Sequence, residues 1–156
     1  MHKIAQTLVV GITLAAAAGG ALAQAKPEDM IRWRQSAYQT MAWNMGRIKA
    51  NVEGTFNKDQ VVQAANTIQA IANSGMGALY AAGTNKGKGW RDTQVKPELF
   101  TDKDGVGKVA MAFNKEANEM AKVAAGGDAA AVKAQFGKLG ESCKACHKDY
   151  RVEEKK

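Results

Sequence analysis

Cys143, Cys146 and His147 stand together in Cys143-Lys144-Ala145-Cys146-His147, and they are the residues whose types and spacing can do chemistry. On a helix, positions i and i+3 share one face, nearly one turn apart. Two thiols so placed reach the vinyl groups along one edge of a porphyrin and form thioethers. The next residue, His147, then stands where its imidazole meets the iron. Cys-x-x-Cys-His is accordingly the attachment signature of a c-type haem. A structural zinc site needs about four Cys or His ligands, and the other histidine is His2, at the far end of the chain. A thioredoxin-like pair wants a preceding strand and a βαβ setting, and neither is legible. A plain disulfide stays open as the alternative.

The compartment fits haem attachment. Met1-His2-Lys3 is a short basic start, Ile4 to Ala18 is almost wholly apolar, and Gly19-Gly20-Ala21-Leu22-Ala23 ends in Ala-x-Ala. Residues 1–23 therefore read as a secretory signal peptide, with cleavage after Ala23 and a single domain over 24–156. The apolar run is shorter than the roughly 20 residues a spanning helix needs. A soluble periplasmic protein is the expectation. The chain carries 22 basic against 15 acidic residues, net +7, and loss of Lys3 with the leader leaves +6. That balance favours acidic protein partners through long-range steering. No basic patch interleaved with aromatics points to nucleic acid.

Helices must position the motif. The first is predicted over Lys26 to about Glu53: Pro27 suits the first turn and Glu28-Asp29 complement the helix dipole. Ile31, Arg34, Tyr38, Met41, Met45 and Ile48 recur at three- and four-residue steps along it. A second helix is predicted from about Lys58 to Ser74, with Val61, Ala65, Ile68 and Ile71/Ala72 inward. From Gly75 to Gly105 glycines and Pro97 break the pattern into a long crossover, a length that usually serves a function. Gly83-x-x-x-Gly87-Lys88-Gly89 within it is not a phosphate loop, being one residue short, without the Ser/Thr and with no strand before it. The third helix spans about Asp104 to Ala125 with Val109, Phe113, Ala117, Met120 and Ala124 on one face. Gly126-Gly127 ends it and Asp128 caps the fourth, Ala129 to about Val152, which carries Val132, Phe136, Leu139, Cys143 and Cys146 on one stripe. The fold class is all-α: an antiparallel up-and-down four-helix bundle with a long loop between helices 2 and 3.

The motif's place narrows the ligand question. Nine residues follow His147, so a sixth iron ligand is expected from the N-terminal helices. Arg151, four residues on, would lie beside His147 on the same helix. A cation there weakens the imidazole's donation to iron. Arg34, on an otherwise apolar face, calls for a buried anion; a rim position with a snorkelling stem is the plainer reading.

Four segments carry a family resemblance: Lys26-Pro27-Glu28-Asp29, Arg34-Gln35-Ser36-Ala37, Thr93-Gln94-Val95-Lys96-Pro97-Glu98-Leu99-Phe100 and Cys143-Lys144-Ala145-Cys146-His147-Lys148-Asp149-Tyr150-Arg151. With them the chain resembles cytochrome c′, the class II c-type cytochromes, over nearly all of 24–156. The resemblance implies one covalently bound haem c, with His147 as the proximal ligand of a pentacoordinate iron and a closed apolar distal pocket. It places Arg34, Gln35, Thr93 and Gln94 near the haem propionates and Arg151 beside the proximal histidine. It puts Tyr38 at the distal position, where its hydroxyl either bonds a ligand or only fills space. Phe100 stands where many relatives have tryptophan.

Two functions follow. An iron with an open distal side binds small neutral diatomics such as nitric oxide and carbon monoxide. A low-spin, six-coordinate electron carrier would instead use a first-helix methionine, Met30 or Met41, as low-spin relatives do; core packing is the default role of the methionines. Lys144 and Lys148 flank the haem and offer a docking surface to an acidic redox partner, or simply a solvated face. Apolar residues on the outer faces of the first two helices support a homodimer. No catalytic dyad stands beside the motif, so an enzyme is not expected.

Overall fold

The computed structural model describes residues 25–153. The leader and its cleavage point lie outside those residues. Four α-helices form among them: α1 Pro27–Glu53, α2 Lys58–Ala72, α3 Lys103–Gly126 and α4 Ala129–Tyr150. Each start has a local cause. Pro27 and the acidic pair Glu28 and Asp29 open α1 without a side-chain cap. Asn57, Asp102 and Asp128 cap α2, α3 and α4 by accepting the amides of Gln60, Gly105 and Ala131, each satisfying one of the orphan donors of a first turn. Gly127, at φ 76°, closes α3 in the left-handed conformation that glycine adopts without penalty.

The ends differ from the sequence expectation by one or two residues, for visible reasons. α2 stops at Ala72 because Asn73 and Ser74 bond back to Gln69 O and Ile71 O through their own side chains. That competes with further helix. α3 begins at Lys103 because Asp102 is the cap. α4 ends at Tyr150 instead of Val152: Arg151 turns extended (φ −118°, ψ 135°) and pairs with Val95, and Val152 N donates to Gln94 O at 2.8 Å.

The helices form an antiparallel up-and-down bundle. Consecutive pairs pack extensively, whereas α1 and α4 touch far less. Its core joins Met41, Ile48, Val61, Ala64, Ala65, Ile68, Ala117, Met120, Ala121, Ala124, Val132 and Leu139. The alanines let backbones approach, and each of the larger side chains contributes roughly 1.5–3 kcal/mol by leaving water. Toward the other end the apolar stripe loosens: Val106, Val109, Phe113, Cys143 and Cys146 are not fully buried and Tyr38 is exposed. That loosened end holds the chemistry.

The crossover has order of its own. Short 3₁₀ turns at Met76–Leu79 and Pro97–Phe100 interrupt it, and Lys88 pairs with Asp92. Among the described residues, no helix is long and apolar enough to cross a membrane.

Candidate functional site

The last two turns of α4 carry Cys143, Cys146 and His147. Both thiols are free and half-buried. Burial pushes both above the usual thiol value, with the neighbouring Cys143 thiol adding to the shift at Cys146. His147 moves the other way, lowered by burial and by the positive charge of Arg151. It is therefore neutral near pH 7, the form in which an imidazole ligates a metal. An open cleft of about 270 Å³ adjoins it, lined by Lys144, His147, Lys148, Arg151 and Glu153.

Arg151 lies beside His147, though not as a helical neighbour. It is the residue past the helix end, its amide donating to His147 O at 3.1 Å. The pairing with Val95 draws it out of helical geometry. The same strand-like clamp brings Gln94 and Lys96 to the end of α4: Lys96 N donates to Tyr150 O at 3.0 Å, and Lys96 Nζ to Lys148 O at 3.1 Å.

Across from α4 lies Tyr38 of α1. Its phenol is raised, first by loss of water and further by the nearby Cys146 and Cys143. Tyr80, which follows the Met76–Leu79 turn, shares a 2.7 Å hydrogen bond with it and is likewise raised, chiefly by burial. Met30 and Met41 are buried, Met41 within the core cluster. Phe100 is half-buried in the second 3₁₀ turn.

Arg34 is 2% exposed, so it is no rim residue. Its Nη1 donates to Leu79 O at 3.1 Å and Thr84 Oγ1 at 2.8 Å; its Nη2 donates to Thr84 O and to Thr93 Oγ1, the latter at 2.7 Å. The guanidinium also lies 4.8 Å from the centre of the Tyr80 ring. These partners are neutral, so the side chain ties α1 to the crossover at three places. Gln35 adds a fourth: its Oε1 accepts Trp90 N at 2.7 Å and its Nε2 donates to Arg91 O at 2.9 Å. Arg34, Gln35 and Thr93 thus meet along one face of α1, while Gln94 joins the clamp on α4.

Tyr80, Thr84 and Trp90 were not legible as site residues. They sit in the glycine-rich crossover, without periodicity, and make their contacts to residues 42 to 54 positions away. Only the unusual length of that loop signalled that it had something to hold.

Two unpaired thiols one turn apart, a neutral imidazole after them and a sparsely packed α1–α4 seam together fit a porphyrin between those helices. Among the described residues, no three His, Cys, Asp or Glu gather as a metal site. A lone imidazole needs a preassembled macrocycle to hold iron.

Comparison with known proteins agrees. The family model described as Cytochrome C' matches residues 29–151. A cytochrome c' of Rhodocyclus tenuis is 69% identical over 128 residues, covering 81% of this chain and 96% of the relative. The crystal structure of cytochrome c' from Thermochromatium tepidum is 53% identical with a TM-score of 0.80, covering 84% of this chain and all of that one. A nitric oxide complex of a variant cytochrome c prime from Alcaligenes xylosoxidans is 30% identical with a TM-score of 0.73, covering 83% and 98%.

Proposed function

This chain belongs to the cytochrome c′ family, whose cofactor is haem c, and we propose that it is a periplasmic gas-binding haem protein with an open sixth iron site. Cys143 and Cys146 would hold the porphyrin covalently, and His147 would ligate its iron. The haem supplies an iron that binds nitric oxide or carbon monoxide and exchanges single electrons. The chain's own residues attach it, shield it and set access to it. The role is binding and carriage, not catalysis.

The observation that carries this reading is the identity of the groups opposite the thiols. They are the phenols of Tyr38 and Tyr80, joined to one another at 2.7 Å, and a protonated phenol is a poor iron ligand. Met30 and Met41, which the six-coordinate alternative would need, are buried, at 9% and 6% exposure. The solved nitric oxide complex of the Alcaligenes xylosoxidans relative supports the gas ligand. Arg34, Gln35, Thr93 and Gln94 are assigned to the propionate edge, where Arg34 adds charge to a network already satisfied by neutral partners. Arg151 is assigned to the proximal side, beside His147.

Residues 1–23 have the pattern of an export signal, which supports the periplasmic assignment. Lys144 and Lys148, on α4, suit an acidic electron partner. Trp33 and Trp43, 51% and 64% exposed on α1, support a homodimer through that helix.

The deciding experiment is the optical and EPR spectrum of the purified holoprotein with and without nitric oxide. High-spin ferric iron that binds nitric oxide on reduction is the expected result. A low-spin spectrum with a methionine–iron charge-transfer band would overturn it in favour of electron transfer alone.

A further inference from the structure

Tyr38 and Tyr80 are 42 residues apart in sequence, yet their hydroxyls meet at 2.7 Å. The two ends of this bond are not equally held. Tyr38 projects from α1 and bonds Tyr80 through its hydroxyl. Tyr80 is held from both sides: its ring lies under the Arg34 guanidinium at 4.8 Å, and the preceding residue, Leu79, gives its carbonyl to Arg34 Nη1. Arg34 is in turn fixed by Thr84 and Thr93. Tyr80 is therefore the anchored partner, and Tyr38 takes the position of its hydroxyl from it.

We infer that Tyr80 is a positioning residue for ligand entry: its hydroxyl pins Tyr38 across the distal side of the haem, and a ligand reaches the iron only as that bond yields. The inference rests on the open-site reading above. Tyr38 lies near enough to the thiols of α4 to sense their charge, and the bond to Tyr80 fixes where its hydroxyl sits. Swinging it aside breaks one hydrogen bond between neutral groups. A bond of that kind has a modest net strength, enough to slow entry about two- to tenfold and not enough to forbid it. The crossover thereby acquires a function: Arg34 and the Met76–Leu79 turn present Tyr80 to the distal side.

The test uses the reduced holoprotein and carbon monoxide as probe, with Tyr80→Phe, Tyr38→Phe and the double variant. Phenylalanine at 80 keeps the ring beneath Arg34, so the crossover stays anchored. Tyr80→Phe is expected to bind carbon monoxide about two- to tenfold faster than the parent. The double variant is expected to be no faster than Tyr38→Phe alone, since the bond is already gone. Denaturant unfolding of the four ferric holoproteins gives an independent readout: the two substitutions should destabilise by less in combination than the sum of their separate effects. An unchanged or slower rate in Tyr80→Phe, with five-coordinate iron in the parent, would overturn the inference and leave the gas-binding reading standing. Six-coordinate iron in the parent overturns both.

Discussion

The phenol of Tyr150 donates a 2.6 Å hydrogen bond to Asp102 Oδ2, while Oδ1 of the same carboxylate accepts the Gly105 amide at 2.9 Å. Asp102 thus caps α3 with one oxygen and holds the last residue of α4 with the other. Tyr150 is three residues past His147, so the bond fixes the helix end that bears the iron ligand. Gly105 makes the approach feasible, since a Cβ there would collide with the Tyr150 hydroxyl and the Asp102 carboxylate.

This pair predicts a stability profile with two edges. The Tyr150 bond, and then the Gly105 amide, hold Asp102 below its ordinary value of 3.8. The stabilisation is therefore whole above about pH 4 and lost as pH falls through the depressed value. Tyr150 is pushed up to about 12, chiefly by the same bond. On that side the contribution is whole below its ordinary value of 10.0 and lost as pH rises toward 12. Asp102→Asn should lower the thermal midpoint, by a constant margin from about pH 5 to 9, and the margin should shrink on acidification below about pH 4. Thermal unfolding of parent and variant across that range checks it; a margin independent of pH would contradict the bond.

Arg34 is the second case. Its guanidinium joins Leu79, Thr84 and Thr93, and bonds to a charged group contribute about 1.5–3 kcal/mol each where they are buried, though not additively. Arg34→Ala should cost at least about 2 kcal/mol, and its effect should be local. Backbone amides of the crossover between residues 79 and 93 are expected to exchange faster with deuterium. Amides of α2 and α3 in the core should keep their protection relative to global unfolding. Uniform acceleration would mean that Arg34 supports the bundle and not the loop.

What was legible in the sequence is what local chemistry dictates. Asp128 and Gly127 mark the α3–α4 junction because capping and left-handed backbone are properties of single residues. Ile48, Val61, Ile68, Met120 and Leu139 are buried as their helical spacing requires. Cys143, Cys146 and His147 are read as an attachment motif from spacing alone, and the fold sets them in the last two turns of one helix. The Arg34–Thr84–Thr93 network was not readable, because its members are brought together by a crossover with no repeating pattern. The same holds for the buried polar residues Asn44 and Gln135. Asn44 bonds to Thr40 O on its own helix, and Gln135 reaches Glu116 on α3. A polar residue on a helix reads as exposed until its partner is known. Arg151 shows the limit of helical extrapolation: a single pairing with Val95 ends α4 two residues early.

Gly89 yields a third prediction. A Cβ there would stand 2.5 Å from Gln35 Oε1, 2.8 Å from Arg32 N and 2.9 Å from Arg32 Cα. Two of these atoms are helix backbone and cannot move aside. The glycine lets the crossover lie on α1, where Trp90 N bonds Gln35 and Trp90 Nε1 bonds Ser36 at 2.7 Å. Gly89→Ala should destabilise by about 1–3 kcal/mol, the usual cost of overpacking, measured by denaturant unfolding. Gly137, where a Cβ would have nothing within 4 Å, serves as the control and should gain slightly from alanine's helix propensity.

The attachment chemistry gives the last prediction. If Cys143 and Cys146 each form a thioether, either one suffices to keep haem on the unfolded chain, and loss of both releases it. Cys143→Ala and Cys146→Ala should each retain haem on a denaturing gel, at reduced yield, and the double variant should lose it. His147 remains in all three, so an iron bond to the imidazole can survive in the folded double variant and still vanish on denaturation. Comparing native and denatured samples separates the covalent from the coordinate link. Haem that stays with the denatured double variant would refute attachment through these thiols. Haem lost from both single variants would instead mean that one bond is too few for the site to be loaded, because the second thiol is needed to orient the porphyrin edge against α4.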